Sequence, residues 1–337
     1  MFTKTQIAHI KEHLEKAQNP VFFFDNDADG LCSFLLLQRF IGKGRGVAVK
    51  SFPDLTKEYF RRVEEFNADY IFILDKPMVS NEFFEEAHKI NIPVVWIDHH
   101  KTEAIIPGYV NYYNSDEPTT CLCWQVTEKP EDLWVAVVGC IADSYLPDFY
   151  KEFQERYPDL SVKAKNAFDV FYKSPIGNIS KMFSFGLKDR TTNVVNMLRF
   201  LMKVKTPYEV LEDTSKNHTM HERFEFIYKK HKKFMEKAID LEKDSEKFLF
   251  FQYGGDMSIS SDLANELIYL YPDKIIVVVY VSGAKANISA RGKNIKKIIL
   301  KAIEGLENAT GGGHEEAVGA KVNISDLEEF RSRLVNS

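Results

Sequence analysis

The sequence predicts an α/β fold in which a parallel-sheet domain comes first, a helical connector follows and a smaller α/β domain ends the chain. Three observations carry this. Over the first 150 residues, short and nearly continuous apolar runs alternate with stretches of helical periodicity. From about 148 to 245, Lys, Phe, Glu and Leu dominate and the strand signals vanish. From 246 onward the alternation returns. Strands that stay apolar at every position, with helices between them, belong to parallel sheets covered on both faces. A length of 337 residues suits about two domains.

Taken in order, the N-terminal MFTKTQIAHIKEHLEKAQ has the spacing of an amphipathic helix. It lacks an apolar central run and a small-residue cleavage site, so it is not expected to be a signal peptide. VFFF (21–24), VAVKSF (47–52), YIFIL (70–74) and VVWI (94–97) read as buried strands, with helices around 31–41, 57–66 and 80–90. In the last part FLFFQY (248–253), KIIVVVYV (274–281) and ANISARG (286–292) read as strands, with helices at 261–271, 294–306 and 325–335. No apolar run approaches the roughly 18 residues of a membrane span.

Hydrophobic residues make up 45 % of the chain, enough for sizeable cores. The formal net charge of -5 gives no global footprint of a nucleic-acid binder, but it allows a local basic groove or a substrate with few phosphates. The basic run KKHKKFMEK (Lys229 to Lys237) reads as a solvated helix face. Cys32, Cys121, Cys123 and Cys140, without a secretion signal, predict reduced thiols in a cytoplasmic protein. Cys121 and Cys123 have no second Cys pair at zinc spacing, and they read as buried small residues on a helix.

The chemistry collects where apolar runs stop. VFFF is followed by Asp25-Asn26-Asp27-Ala28-Asp29-Gly30, YIFIL by Asp75, and VVWI by Asp98-His99-His100. A fourth apolar stretch, WVAVVGCIA, ends at Asp143 and reads as a fourth strand end. Parallel strands aim their carboxyl ends at one edge of the sheet, where ligands bind. A single Asp after a strand is commonly a cap or turn residue. Four such ends with the same chemistry would instead crowd carboxylates that repel one another. A pair of hard cations compensates them, and oxygen ligands with an imidazole suit Mn²⁺ or Mg²⁺. A calcium loop is excluded because its twelfth position, which should be Glu, is Leu36, and an apolar strand precedes it.

DNDADG, the Asp75 motif, the Asp98-His99-His100 triplet and GCIAD at Asp143 together resemble the four motifs of the DHH phosphoesterase superfamily. TGGGHEEAVGA (310–320), preceded by NISARG (287–292), is similar to the signature of the DHH-associated second domain. The resemblance implies a catalytic metal-binding domain over 1–147, the helical connector over 148–245, a substrate-binding domain over 246–337 and an active site in the cleft between the domains. It implies two metal ions, usually Mn²⁺ with Mg²⁺ as the alternative. Asp25 and Asp27 would each ligate an ion, Asp75 would bridge both, and His99 and Asp143 would complete one site. Asp98 would orient His99, and His100 would face the substrate phosphate. For Asp29 a turn-stabilising role, a supporting role and ligation all stay open. Many relatives carry a ligand His on the strand ahead of the first Asp, where this chain has Val21 to Phe24.

Two ions can neutralise a phosphodiester and lower the pKa of a water between them. Gly311, Gly312 and Gly313 offer conformations open to few other residues, and their backbone N–H groups could form an anion nest. Ser289, Arg291 and His314 complete the expected substrate-binding set, with Arg291 suited to grip a phosphate. The expected activity is a Mn²⁺-dependent, single-strand-specific exonuclease of the RecJ type, since DNDADG is closer to that branch. The alternatives are a phosphodiesterase for short RNA, pAp or a cyclic dinucleotide, and a non-catalytic replication scaffold. DNA versus RNA, polarity and any helicase or replication partner are not written in the sequence.

Overall fold

The computed structural model describes residues 1–51, 53–100, 110–113, 117–243 and 247–335. The chain divides into two compact units, Met1–Phe224 and Glu225–Ser337. The stretch expected as a connector is therefore shared between them. Its helices before 225 are tied into the first unit: Ser180 Oγ donates to the Val138 carbonyl at 3.2 Å, and Arg39 reaches both the Asp132 carboxylate (2.8 Å) and the Leu201 carbonyl (3.0 Å).

The first unit runs α1 (Lys4–Lys16), β1 (Pro20–Asp25), α2 (Ala28–Ile41), β2 (Arg45–Val49), β3 (Asp54–Leu55), α3 (Arg61–Glu65), β4 (Tyr70–Leu74), β5 (Met78–Val79), α4 (Asn81–Lys89), β6 (Val94–Asp98), β7 (Val110–Tyr113), α5 (Thr119–Thr127), α6 (Leu133–Ala142), α7 (Tyr150–Arg156), α8 (Ala167–Lys173), α9 (Pro175–Leu187), α10 (Thr191–Leu201) and α11 (Pro207–Leu211). Its main sheet has the order β2-β1-β4-β6-β7, with every pairing parallel. Alternation along β1 shows why the strands are apolar throughout. Phe22 and Phe24 pack on Phe34 of α2, with ring centroids 5.6 and 5.1 Å apart, while Phe23 turns to the other face and meets Phe83 of α4 at 5.4 Å.

The chain leaves β1 toward β2 on one side and returns to β4 on the other. The carboxyl ends of β1 and β4 thus flank the point where the winding reverses, the place where open α/β sheets bind ligands. Two sequence expectations change. WVAVVGCIA forms α6, not a strand; every residue from Leu133 to Ile141 is buried, so it carries no helical periodicity to read. The strand expected over 47–52 is β2, Arg45–Val49, and its last expected residue, Phe52, lies outside the described residues.

The helix α12 (His218–Glu242) spans the boundary between the units, and β8 (Phe248–Gly254), α13 (Ser260–Leu270), β9 (Ile275–Ser282), β10 (Lys285–Arg291), α14 (Ile295–Ile303), β11 (Thr310–His314), β12 (Ala317–Asn323) and α15 (Leu327–Val335) follow. The second sheet has the order β11-β12-β10-β9-β8, antiparallel except for β8 with β9. One face packs Val277, Val279, Ile288, Ala290 and Val318 against Ile295, Ile299, Phe330 and Leu334 of α14 and α15. Segment 310–314, expected as a glycine-rich nest, is instead β11, the edge strand, and of its three glycines only Gly313 has positive φ (137°). In the basic run, His231 and Met235 are buried while Lys229, Lys232, Lys233 and Lys237 are not.

Candidate metal centre

Asp25 closes β1, and Asp27 caps α2 two residues later, its carboxylate accepting from the Gly30 N–H at 2.9 Å. Gly30 is required by space: a Cβ there would sit 2.6 Å from the Asp25 carbonyl oxygen, so only Gly lets the helix start this close to the strand. Asp29, in the first turn of α2, is buried, and its two carboxylate oxygens accept the backbone N–H groups of Thr120 (2.8 Å) and Thr119 (3.0 Å). Those N–H groups belong to the first turn of α5, where no intrahelical partner exists. Asp29 therefore fastens α5 to α2.

Asp75 follows β4 with φ at 58°, a left-handed conformation that Asp adopts more readily than most residues. Its amide donates to the Ile97 carbonyl at 3.0 Å, and its buried carboxylate accepts from Thr119 Oγ1 at 3.1 Å. Asp98 closes β6, and the two histidines after it pack ring to ring with centroids 4.3 Å apart. His99 Nε2 lies 3.4 Å from Asp75 Oδ1, 3.8 Å from Asp143 Oδ2 and 3.9 Å from Asp29 Oδ2. Asp98 was expected to orient His99. Its two oxygens instead accept from His100, at 2.9 Å for ring Nδ1 and 3.1 Å for the backbone N–H.

Among the described residues, two groups offer ligand atoms within 4.8 Å of one another: Asp75 with His99 and His100, and Asp29 with His99 and Asp143. The electrostatics match a cation. Desolvation within the cluster, then the neighbouring charges of Asp25 and Asp29, push Asp27 up to about 7, although its side chain still meets solvent at the rim of the site. Burial, then Asp29 and Asp27, raise Asp75 well above the carboxylate range, and desolvation with the same two charges raises Asp143, whose side chain nevertheless stays 43 % exposed. Burial also raises Asp29, against the hydrogen bonds from Thr120 and Thr119. Asp143 caps the C-terminus of α6, the negative end of the helix dipole, which disfavours its charge further. Buried Asn26 Oδ1, between Asp25 and Asp27, has no hydrogen-bond partner among the described residues. Clustered carboxylates, imidazoles and an unsatisfied amide oxygen form a donor set that fits a hard divalent ion.

Sequence reasoning missed Lys76, whose wholly buried side chain bonds Asp25 Oδ1 at 2.9 Å and the Ser51 carbonyl at 2.8 Å. A Lys after a turn Asp looks like a surface residue, and nothing in the sequence marks its burial. The roles of Thr119 and Thr120 were missed for the same reason. The four cysteines are buried without disulfides, and burial raises the thiol pKa of Cys32, Cys123 and Cys140.

In the second unit Ser289, Arg291, Gly312 and His314 share the sheet face opposite the α14–α15 core, whereas Gly311 and Gly313 alternate onto the core side. Cross-strand register puts Arg291, Ala317 and His314 in one row and Ser289, Gly319 and Gly312 in the next. Ser289 donates to Ser260 Oγ at 3.0 Å, and Arg291 Nε donates to Asn265 Oδ1 at 2.6 Å, so α13 positions both. A Cβ at Gly312 or Gly319 would meet nothing. Gly313 differs, since the Ala317 backbone leaves no room for a Cβ there, while a Cβ at Gly311 would press only on the tip of the Ile303 side chain.

Residues 21–137 match the sequence profile described as "DHH family, N-terminal domain", and residues 245–336 match that of the "DHHA1 domain". No curated protein sequence matches. Among solved structures the chain is similar to RecJ from Thermus thermophilus in complex with Mn²⁺, at 17 % identity and a TM-score of 0.70 over 98 % of this chain and 53 % of that one. It is similar to an exonuclease RecJ bound to manganese, at 17 % identity and TM-score 0.63 over 98 % and 92 % of the two chains. A pGpG-specific phosphodiesterase, PggH from Vibrio cholerae, aligns at 16 % identity and TM-score 0.54 over 95 % and 98 %. At these identities the likeness is one of fold, and the chain spans about half the length of the Thermus RecJ. Among the described residues, no helix is long and apolar enough to cross a membrane.

Proposed function

This chain belongs to the DHH phosphoesterase family, with a DHHA1 domain behind its DHH domain, and we propose that it is a Mn²⁺-dependent, single-strand-specific exonuclease releasing nucleoside monophosphates. The observation that carries the reading is the convergence of Asp75, His99 and Asp143 at the carboxyl edge of the first sheet, with Asp25, Asp27 and Asp98 at the ends of the same strands and first helix. Asp75, His99 and Asp143 would hold the metal, with Asp27 and Asp25 beside them. A divalent ion there supplies charge neutralisation for the scissile phosphate and a more acidic water. His100, held by Asp98, offers a protonated ring to a phosphate oxygen. In the second unit, Arg291 is pre-oriented by Asn265, and His314 and the edge-strand backbone of 311–313 lie on the same sheet. Together they would bind the substrate's other phosphates or its terminal nucleotide.

A second reading is a phosphodiesterase for short RNA, pAp or a cyclic dinucleotide. It is favoured by the net charge of -5, which gives no global footprint for a long nucleic acid. One gel separates the readings. End-labelled single strands of several lengths are incubated with Mn²⁺, Mg²⁺ or Ca²⁺, beside pAp and a cyclic dinucleotide. Mononucleotides from long strands, with Mn²⁺ above Mg²⁺ and none with Ca²⁺, are the expected result. Turnover confined to dinucleotides and pAp would replace the first reading with the second. No turnover of any substrate with any ion would leave a replication scaffold.

A further inference from the structure

The family resemblance implies two divalent ions, yet a cation is already present at Asp25. The Lys76 side chain has no solvent exposure. Its Nζ lies 2.9 Å from Asp25 Oδ1 and 2.8 Å from the Ser51 carbonyl oxygen, so two of an ammonium's three donors are committed. The backbone that delivers it is fixed. Asp75, immediately before, holds its left-handed φ and donates to the Ile97 carbonyl, and Trp96 Nε1 donates to the Lys76 carbonyl at 2.9 Å. These contacts fix the main chain from which the enclosed Lys76 side chain reaches Asp25.

Asp25 also stands outside both groups of described residues that could close around an ion, and both of those groups contain His99. The strand ahead of Asp25 supplies phenylalanines, buried in the sheet's two cores, and no imidazole. Two deficits thus coincide at one position: a poor ligand set and a resident cation. A fully buried ammonium needs a carboxylate beside it, and the partly exposed Asp25 is the one that Lys76 has.

We propose that Lys76 is a built-in cation that takes the place of one divalent ion. The chain then binds a single Mn²⁺ around Asp75, His99 and Asp143, and Asp25 is the counter-ion of Lys76 rather than a metal ligand. This rests on the metal-dependent reading above. Calorimetry and Mn²⁺ electron paramagnetic resonance on the full chain test it without any activity measurement. Wild type should bind one ion per chain, with the resolved hyperfine lines of an isolated Mn²⁺. Lys76→Met should recruit a second ion and show the broadened spectrum of a coupled pair. Because Lys76→Met leaves the Asp25 carboxylate without its ion-pair partner and could fail to fold, Asp25→Asn is measured beside it. That variant keeps an acceptor for Nζ and should still bind one ion, weakened by about tenfold, as expected for a group beyond the ligands. Two ions in wild type, or loss of the bound ion in Asp25→Asn, would overturn the proposal and leave the metal-dependent reading standing. No Mn²⁺ binding in any form would overturn both.

Discussion

Asp98 Oδ1 lies 2.9 Å from Nδ1 of His100, and its Oδ2 accepts the His100 backbone N–H at 3.1 Å, so one carboxylate fixes both the ring and the main chain of the same histidine. Burial alone would lower the imidazole pKa. The hydrogen bond and charge of Asp98, with Asp143 and Asp27 behind, outweigh it and raise the value. Asp98→Asn should therefore lower the His100 titration midpoint, read by NMR in metal-free protein. It should also cut kcat/KM by about 100-fold, the lower end for loss of a positioned proton donor. An unchanged midpoint would mean that Asp98 only shapes the loop.

The raised carboxylates predict how the metal-free protein responds to pH. Asp27, near 7, and Asp29, Asp75 and Asp143, also raised, bind protons more tightly folded than unfolded. Between the ordinary carboxylate pKa of about 4 and these folded values, the native state carries more protons, so stability falls as pH rises. His100 acts with the same sign, its contribution present below the ordinary imidazole value and lost as pH rises through its raised one. A cation reverses this penalty. The Tm gain from Mn²⁺ relative to EDTA should be small at about pH 5 and grow toward about pH 8. A gain independent of pH would place the ion away from these carboxylates.

Much of this site was legible because strand ends are legible. β1, β4 and β6 are apolar on both faces, and each stops at an Asp that has no reason to be buried in a core. Asp143 was found for the wrong reason. α6 is enclosed on all sides, so its helical period is erased and its Val-rich sequence imitates a strand. Lys76, Thr119 and Thr120 were invisible because their roles depend on burial and on residues 44 to 91 positions away in sequence. Gly311–Gly313 looked like a loop because glycine is depleted in strands, whereas Gly313 is glycine for lack of space, Gly311 abuts the tip of Ile303 and Gly312 has open space in front of it.

Asp75 should be tested with Asn rather than Ala. Its φ of 58° suits Asn far better than Ala, so Asp75→Ala confounds lost ligation with backbone strain. Asp75→Asn removes a buried charge and keeps an acceptor for Thr119 Oγ1. The Tm in EDTA should hold or rise, while Mn²⁺ affinity and kcat/KM each fall by more than about 100-fold, beyond the range for groups that only support a ligand. Robust turnover in a folded Asp75→Asn protein would remove Asp75 from the metal site.

Asp29 should behave in the opposite way. Its oxygens hold two backbone N–H groups of α5, and Asp29→Ala leaves both buried and unpartnered. At about 1–3 kcal/mol for each stranded donor, chemical denaturation should show a loss of roughly 2–6 kcal/mol with or without Mn²⁺. A stable Asp29→Ala protein that had lost only its metal would make Asp29 a ligand and not the tie between α2 and α5.

The second unit allows binding to be separated from chemistry. Gly312 and Gly319 face each other across β11 and β12, in the row of Ser289 and beside the row of Arg291 and His314. Neither has positive φ, and a Cβ at either would touch nothing within the protein. Their bareness thus has no internal cause, and a ligand lying flat on this face would explain it. Gly312→Ala and Gly319→Ala should fold normally, with Tm unchanged or slightly higher because alanine leaves fewer unfolded conformations. Mn²⁺ stoichiometry should match wild type in both. If the substrate rests on this row, each methyl must be accommodated against it. KM should then rise by an amount worth about 1–3 kcal/mol, the usual cost of overfilling a fitted contact. His314→Ala, at the end of the neighbouring row, should lower kcat/KM by about 10- to 150-fold through loss of a charge-assisted hydrogen bond worth roughly 1.5–3 kcal/mol. Steady-state kinetics on a labelled trinucleotide, paired with Mn²⁺ calorimetry, resolve the cases. Wild-type kinetics in all three variants would show that this face never meets the substrate. A changed Mn²⁺ stoichiometry in His314→Ala would make His314 a metal ligand.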